Sequence, residues 1–388
     1  MIYRKFKQIV AVILFTAMFA GGPAFGLEIN WSAPTEDVDV FYRTEGDADD
    51  TWKLSMSSNQ LIDAYIIASA VYMDFNSDVL LPDSEEHAVY KKAKTYFTPY
   101  RGLNLFKGFE KYVNGNDVNG DAVAVLLAYA DSEKEDHEWV EQVDSKYRQG
   151  IFKEEASVIE FVDMMLSFYK VTNAEGFFED NEILFNTVSD FVNNKAKSSK
   201  LNELMETLNS YVGVDTEISY KVVLTVFRPS TASYYSYKTG ETQSVISFQS
   251  PNDMTLNPYK LDFDILTETM IHEFLHFHVN VGSQSALHDL KSKGYSFKDK
   301  LVAKGMYSEM PLETQLNEYL VRAVEARIYK AVYGEIYTFS NLMEKEINFG
   351  GFDRLLTVYD AFSKYESNRG KYPTLEDYLP EVVKIFSK

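Results

Sequence analysis

Two histidines and a glutamate are the residues of this sequence whose types and spacing most clearly indicate chemistry. His272, Glu273 and His276 form the pattern His-Glu-x-x-His within the stretch Thr267–His278. Residues four positions apart lie on one face of an α-helix, so the two imidazoles could bind one zinc ion. Glu273 would then reach the water that such an ion activates. The pattern predicts a zinc centre with two histidine ligands and Glu273 as general base.

Apolar residues surround this pattern on nearly every side, which predicts a buried helix. They are Ile265, Leu266, Met270, Ile271, Phe274, Leu275 and Phe277. Buried imidazole and carboxylate groups are costly unless they are paired or bound to a metal, and a metal would meet that need. The alternative interpretation is two core histidines beside a glutamate on the helix surface.

A catalytic zinc site takes three protein ligands and keeps one position open for water. The metzincin spacing would place the third histidine six residues after His276, where this sequence has Gly282, so that class is excluded. His278 follows too closely and points to a different helix face. A glutamate from a later helix is the remaining common solution. We expect Glu318 to be that ligand, with Glu325 as the alternative.

The surroundings of Glu318 offer the groups that a ligating carboxylate needs. Glu318, Arg322 and Glu325 share one face of a predicted helix at spacings of four and three residues. Arg322 could orient the ligating carboxylate or pair with Glu325. The alternative is an exposed ladder of salt bridges, which contributes little to stability.

A zinc centre of this kind could hydrolyse peptide bonds. That reaction needs a hydrogen-bond donor, besides the zinc ion, for the oxyanion of the transition state. Four side chains of this sequence are chemically able to donate, and the sequence does not choose among them. They are His278, Tyr237, Tyr319 and His288.

The elements that must position these residues predict an α+β fold that is predominantly helical. Residues 27–213 carry apolar stripes at helical spacing and form a predicted helical N-terminal half. Residues 214–388 form a predicted zincin-like catalytic half, in which a small sheet leads into the His-Glu helix. Within that sheet, we expect Val245–Gln249 to be the edge strand that pairs with an extended peptide substrate.

Local signals place the boundaries of the helices in the second half. Asp262 and Asp264 offer N-cap chemistry before the His-Glu helix, and Gly282 is the expected C-terminal stop. Pro311 opens a helix that runs to about Tyr333, and Pro373-Thr374 begins another with Asp377 at its third position.

The first 26 residues are typical of a secretory signal peptide. Arg4, Lys5 and Lys7 precede a run of apolar residues that is too short to span a bilayer, and small residues follow before a cleavage point near Leu27. No later segment indicates membrane insertion. The sequence contains no cysteine, which excludes a disulfide framework. We therefore expect an exported bacterial protein, either periplasmic or extracellular.

The charge of the chain argues against polyanionic partners. The formal net charge is −20 at pH 7, and removal of the three cationic residues of the signal would make it −23. Such an acidic protein should repel nucleic acid and anionic membranes.

Two short motifs give the sequence a family resemblance. His-Glu-Phe-Leu-His276 followed by Asn317-Glu318 resembles the gluzincin branch of zinc metallopeptidases. More narrowly, the pattern from His272 to Asn280 together with Asn317-Glu-x-x-Val-Arg-Ala323 resembles an exported bacterial family described only as a domain of unknown function. The resemblance implies a zinc peptidase fold with His272, His276 and Glu318 as ligands and Glu273 as base. No histidine follows Glu318, so the usual downstream oxyanion histidine has no counterpart.

These observations favour a secreted zinc metallopeptidase that cleaves peptide or protein substrates with zinc-activated water. A non-catalytic protein that binds peptide or glycan on a zincin scaffold is the alternative from a different class. An intact Glu273 argues against that alternative, because metal binding alone does not need a base. A helical structural or adhesion protein with a coincidental motif is a third interpretation.

Overall fold

Helices dominate the part of the chain that the structure, a computed structural model, describes. These residues are 54–75, 88–114, 117–130, 139–143, 150–213, 218–227, 232–239, 242–249, 262–298 and 300–387. The predicted signal peptide lies outside them. With one small mixed sheet beside the helices, the predicted α+β, predominantly helical fold class is confirmed.

The helices and strands follow one another in a helical first part, a short run of strands and a helical last part. The helices are α1 (Gln60–Tyr72), α2 (Ala88–Phe97), α3 (Gly120–Ala130), α4 (Trp139–Gln142), α5 (Glu155–Val171), α6 (Ala174–Asp180), α7 (Glu182–Ser198), α8 (Leu201–Val212), α9 (Phe263–Ser292), α10 (Leu312–Tyr333), α11 (Glu335–Thr338), α12 (Leu355–Ser367) and α13 (Leu375–Val383). The strands are β1 (Leu54–Ser58), β2 (Val113–Asn114), β3 (Asp117–Val118), β4 (Ile218–Leu224), β5 (Ala232–Thr239) and β6 (Thr242–Gln249). Two π-helical segments, Phe339–Met343 and Glu346–Gly350, lie between α11 and α12.

The main sheet has four strands in the order β1-β4-β6-β5. β4 pairs in parallel with both β1 and β6, whereas β5 is antiparallel to β6. The prediction that Val245–Gln249 is an edge strand is therefore wrong, since β6 has a partner on each side. Its β-branched and aromatic composition suits this interior position, and β5 is the outer strand next to it.

The sheet also joins the two predicted halves of the chain. β1 comes from the first half and pairs with β4 from the second. All described residues belong to one compact unit that spans residues 38–388. The division at residue 213 stays a prediction.

Helix α9 carries the His-Glu motif and is ten residues longer than predicted. Asp262 caps its start as expected, because its Oδ1 accepts hydrogen bonds from the backbone N–H groups of Asp264 and Ile265 at 3.0 and 3.1 Å. Gly282 does not end the helix. A β-carbon at Gly282 would lie 2.8 Å from Leu379 Cδ1, so this glycine allows α13 to pack closely. Gly294, at φ +88°, is the glycine that follows the true end.

One apolar residue of α9 also departs from the predicted burial. Ile265 is 47% exposed, because it lies in the first turn, before the helix is covered by its neighbours. Leu266 and Phe277 are partly buried, and Met270, Ile271, Phe274 and Leu275 are buried as expected.

The helix boundaries predicted further along the chain are confirmed. α10 begins directly after Pro311 and ends at Tyr333. α13 begins after Thr374, which forms a reciprocal capping box with Asp377. Among the described residues, none of the helices is both long and apolar enough to cross a membrane.

A buried carboxyl group connects the helical first part of the chain to the sheet. Asp63 of α1 is almost completely buried and accepts a hydrogen bond from Thr225 Oγ1, just after β4, at 2.6 Å. Burial raises the pKa of Asp63 to about 7, although the hydrogen bond from Thr225 opposes the shift. The folded state therefore holds a proton here that the unfolded state releases at lower pH.

We predict that Asp63→Asn removes a pH dependence of stability. A raised folded-state pKa contributes stability below the unfolded-state pKa, and this contribution is lost as the pH rises through about 7. At pH 8 the variant should therefore have a higher free energy of unfolding than the wild type, by up to roughly 4 kcal/mol. Urea unfolding at pH 5 and pH 8 measures this, with the exposed Asp360→Asn as control. Parallel pH curves for Asp63→Asn and the wild type would contradict the prediction.

Candidate metal centre

Two long helices bring the predicted site residues together. α9 packs against β5 and β6 on one side and against α10 on another, and it carries His272, Glu273 and His276. α10 carries Glu318. Ser283 Oγ of α9 lies 2.5 Å from Asn317 Oδ1 of α10. Because Asn317 precedes Glu318, this buried contact fixes the register between the helices next to the site.

Three donor atoms from these helices converge on one point. His272 Nε2 and His276 Nε2 are 3.1 Å apart, and they lie 3.6 and 3.4 Å from the two carboxylate oxygens of Glu318. His276 and Glu318 are buried, and the His272 side chain is 13% exposed. Ligand bonds of about 2.1 Å at tetrahedral angles would separate neighbouring donors by roughly 3.4 Å. The three side chains therefore fit one tetrahedral metal ion.

The opposite ring nitrogen of each histidine is held by an oxygen acceptor. His272 Nδ1 lies 3.2 Å from Glu325 Oε2, and His276 Nδ1 lies 3.1 Å from Asn280 Oδ1. In each neutral imidazole the proton then belongs on Nδ1, which leaves the Nε2 lone pair directed at the shared point. Glu325 thus orients the His272 ring through Nδ1, the nitrogen on the side away from the point where the donor atoms converge.

Asn280 is itself held in place by a tyrosine of the outer strand. Its Nδ2 donates to Tyr234 Oη at 3.0 Å, which orients the amide so that Oδ1 faces His276. The Tyr234 ring also stacks on the His276 ring, with centroids 5.6 Å apart and planes 13° from parallel. β5 therefore fixes the orientation of one ligand through two contacts.

Arg322 holds the carboxylate of Glu318, as its spacing suggested. Its Nη1 donates to Glu318 Oε2, and its Nε donates to Glu346 Oε2 at 2.9 Å. The guanidinium also lies over the rings of Tyr307 and Phe352, at 5.0 and 4.6 Å from their centroids. Because its Nε and Nη1 are both paired with carboxylates, Arg322 is a fixed part of the site.

The electrostatics of the cluster favour a bound cation. Burial alone would raise the pKa of Glu318, but hydrogen bonds from His272 and His276 and the charge of Arg322 hold it well below its ordinary value. Burial disfavours the charged form of His272, yet hydrogen bonds to Glu318 and Glu325 raise its pKa to about 10. Without a metal the cluster would therefore hold a proton on His272, and a metal ion would replace it.

Glu273 lines a cavity of about 430 Å³ beside these ligands. The cavity lies between α9, α10 and the π-helical segments, and His272 also lines it. Burial raises the pKa of Glu273, and the nearby His272 and His276 partly offset the shift. A carboxylate with a raised pKa is suited to accept a proton near neutral pH.

None of the four donors considered from the sequence lines this cavity in the described part of the chain. His278 Nε2 lies 2.9 Å from Tyr220 Oη, and burial lowers its pKa to about 3. Tyr319 donates to Asp353 at 2.9 Å, and Tyr237 accepts from Lys221 at 3.2 Å. His288 is on the exposed face of α9. Their predicted role as oxyanion donor has no geometric support.

Tyr307 carries a hydroxyl group and was not among the candidate donors identified from the sequence. It lies in a short 3₁₀ segment, Met306–Glu309, and lines the cavity with Glu273. Burial raises the pKa of Tyr307, and the charges of Glu318 and Glu273 contribute to the shift. No motif marks this residue in the sequence, because it comes from the connection between α9 and α10.

Comparisons with known proteins identify a family for this chain. Residues 83–385 match a family model described as "Domain of unknown function (DUF4932)". The chain belongs to this family. No curated protein and no solved structure matches it.

We predict different outcomes for substitutions of Glu318 and Glu325, both in α10. Glu318→Ala should lose zinc, because it removes one of three donors, whereas Glu325→Gln should weaken zinc affinity only about 10- to 100-fold. Elemental analysis and competition with a chelator measure stoichiometry and affinity, with Glu313→Ala, at a half-exposed glutamate, as control. Full zinc content in Glu318→Ala, or complete loss in Glu325→Gln, would reverse the assignment of ligand and support.

Proposed function

We propose that this chain is a zinc-dependent metallopeptidase of the gluzincin type. The observation that carries the proposal is the convergence of His272 Nε2, His276 Nε2 and the Glu318 carboxylate beside Glu273 in a cavity. The two nitrogens are 3.1 Å apart, and each lies 3.4 to 3.6 Å from one of the two carboxylate oxygens. Two nitrogen donors, one carboxylate and an adjacent base are the usual composition of a catalytic zinc site.

The metal would be held by His272, His276 and Glu318, with Glu325, Asn280 and Arg322 fixing their orientations. When bound, zinc would supply a Lewis acid that polarises the scissile carbonyl and lowers the pKa of water. Two histidines with a carboxylate favour zinc over calcium and magnesium, which prefer oxygen ligands alone.

Glu273 would carry the proton transfers of the reaction. As general base it would accept a proton from the attacking water, and as general acid it would return one to the leaving amine. Its buried position beside the ligands supports this role, because burial keeps its pKa above the usual range of a glutamate. The intact base also favours catalysis over the alternative of a non-catalytic peptide- or glycan-binding protein.

Tyr307 would stabilise the oxyanion that develops on the substrate. Tyr307 lines the same cavity as Glu273, and its ring is held against the guanidinium of Arg322. A hydroxyl placed there can donate to a developing negative charge without reorganisation of the site.

The proposed substrate is a peptide or protein that this chain meets outside the cytoplasm. The predicted signal peptide supports export, and the net charge of −20 disfavours nucleic acid as a partner.

We predict that Glu273→Gln abolishes peptide hydrolysis while zinc content stays at one ion per chain. Gln keeps the size of the side chain but cannot accept the proton, so cleavage should fall at least about 100-fold. Cleavage of a mixed peptide library, followed by mass spectrometry, measures the rate in parallel with elemental analysis. Cleavage by the variant at the wild-type rate would contradict the proposal. Zinc binding without cleavage by the wild type would favour the binding-protein alternative.

We predict that Tyr307→Phe lowers kcat about 100-fold or more with little change in KM, because the hydroxyl would act only in the transition state. Zinc content and thermal stability should not change. Tyr295→Phe, at a partly exposed tyrosine outside the cavity, is the matched control. A purely structural role for Tyr307 would instead lower stability and leave kcat of the folded protein unaffected.

A further inference from the structure

Each histidine of the candidate metal centre is supported at its Nδ1 nitrogen, but the two supports are not equally complete. His276 Nδ1 lies 3.1 Å from Asn280 Oδ1, and Asn280 Nδ2 donates to Tyr234 Oη at 3.0 Å. The amide that holds this imidazole is therefore itself held by a tyrosine hydroxyl. Hydrogen bonds at both ends of the amide fix its orientation.

The support of His272 ends one step earlier. Glu325 Oε2 lies 3.2 Å from His272 Nδ1, whereas Glu325 Oε1 is inaccessible to solvent and has no hydrogen-bond partner among the described residues. The last torsion of a glutamate side chain is broad, so a single hydrogen bond does not fix the plane of the carboxylate. A buried oxygen without a donor is also costly. A donor for Oε1 has to be a group of the protein interior.

Tyr329 lies one helical turn further along α10 and has the complementary deficit. It is 4% exposed, and its Oη has no hydrogen-bond partner in the described part of the chain. Residues four positions apart share one helix face, and helical side chains lean towards the N-terminus, so the Tyr329 side chain covers the turn that carries Glu325. A buried donor without an acceptor thus lies next to a buried acceptor without a donor.

This juxtaposition is unusual within the protein. Only three buried side-chain oxygen or nitrogen atoms lack a hydrogen-bond partner across the residues that the structure describes, and two of them are Glu325 Oε1 and Tyr329 Oη. Since buried polar groups are nearly always paired, two neighbouring exceptions beside a metal ligand indicate a shared role.

The Tyr329 ring is held in place, and its hydroxyl keeps its proton. The ring stacks on Tyr333, with centroids 5.6 Å apart and planes 19° from parallel, and Tyr333 stacks on Tyr337 at 4.7 Å. Burial raises the pKa of Tyr329 well above its ordinary value, and the charge of Glu325 adds to the shift. The hydroxyl is therefore protonated at neutral pH and able to donate.

We propose that Tyr329 is a positioning residue of the metal centre, whose hydroxyl donates to Glu325 Oε1 when the metal is bound. The carboxylate would then be held at both oxygens, which keeps His272 Nδ1 protonated and Nε2 directed at the metal. Both histidines would have a support of the same kind, in which a side-chain oxygen accepts from the imidazole and a tyrosine hydroxyl holds that side chain. The inference rests on the metal site of the proposed function and does not require peptide cleavage.

The substitution Tyr329→Phe tests this role, because it removes the hydroxyl and keeps the stacked ring. Zinc affinity, measured by competition with a chelator, should fall roughly 5- to 20-fold. The Tm of the metal-free protein should stay unchanged or rise, because the substitution removes a buried hydroxyl that has no partner there. Tyr333→Phe, at the partly buried neighbour in the same stack, is the matched control and should change neither quantity.

A double-mutant cycle shows whether Tyr329 acts through Glu325. Glu325→Met keeps the approximate length of the side chain and removes both oxygens. In this background Tyr329→Phe should cause no further loss of zinc affinity, since its acceptor is gone. An equal loss in both backgrounds would mean that the substitution disturbs the packing of α10, and it would overturn the proposal.

The remaining outcomes separate this proposal from the proposed function. If the wild type binds zinc and Tyr329→Phe matches its affinity within about twofold, the positioning role fails and the zinc centre stands. A lower Tm of metal-free Tyr329→Phe would assign the hydroxyl to folding and would also overturn the role. If the wild type binds no zinc, both proposals fail. Should Glu325→Met not fold, the comparison of Tyr329→Phe with Tyr333→Phe decides, because equal zinc affinities would overturn the proposal.

Discussion

Mutual repulsion among three electron-pair donors is the constraint on which this structure depends. His272 Nε2, His276 Nε2 and the Glu318 carboxylate are brought within 3.6 Å of one another in a largely buried place. Such an arrangement is unfavourable unless a proton or a metal ion lies between the donors. The surrounding contacts all act to keep the donors together, since Glu325 and Asn280 fix the imidazoles and Arg322 fixes the carboxylate. This organisation favours a metal centre over a set of core histidines.

The elements that carry these contacts are held rigidly by the fold. α9 runs the full length of the site and is covered by β5, β6, α10 and α13. Tyr234 extends this support from the sheet to Asn280 and His276. Less regular backbone lies on another side of the cavity, where Met343 belongs to the first π-helical segment, Glu346 to the second, and Lys345 lies between them. Wide π-helical turns are frequent at functional sites. The wall formed by α9 and α10 therefore carries the candidate metal ligands and Glu273, and the π-helical segments form a less regular wall.

Much of the site could be predicted from the sequence, because its signals are local. The His-Glu-x-x-His spacing places two ligands on one helix face, and the apolar helix with Asn317-Glu318 locates the third. Helix caps at Asp262 and Thr374 were equally readable, since each depends on a few adjacent residues. Tyr307 could not be found in this way. It reaches the cavity from a connecting segment, and only tertiary structure brings it near Glu273.

The wrong predictions have the same physical origin. Gly282 has the composition of a helix stop, but its role is to admit Leu379 of a helix that comes almost one hundred residues later. β6 has the composition of a strand, but nothing in its own residues shows that β4 and β5 will pair with it on both sides. Short-range patterns describe an element and its caps. They do not describe the neighbours that the element will have.

The contact between Ser283 and Asn317 has a consequence for how this family can vary. It ties α9 to α10 a short distance from the ligands, so a shift of one helix by a turn, about 5.4 Å, would separate Glu318 from the histidines. The connection between the two helices is restricted at Leu301 and Val302, whose backbone N–H groups donate to Gln315 of α10, and at Tyr307, whereas its residues 293–296 are exposed. Relatives should therefore tolerate insertions in that connection while keeping two fixed internal distances, from His272 to Ser283 and from Asn317 to Glu325. A sequence pattern with two segments of fixed length, separated by a gap of variable length, would recognise distant members that a pattern of fixed total length overlooks.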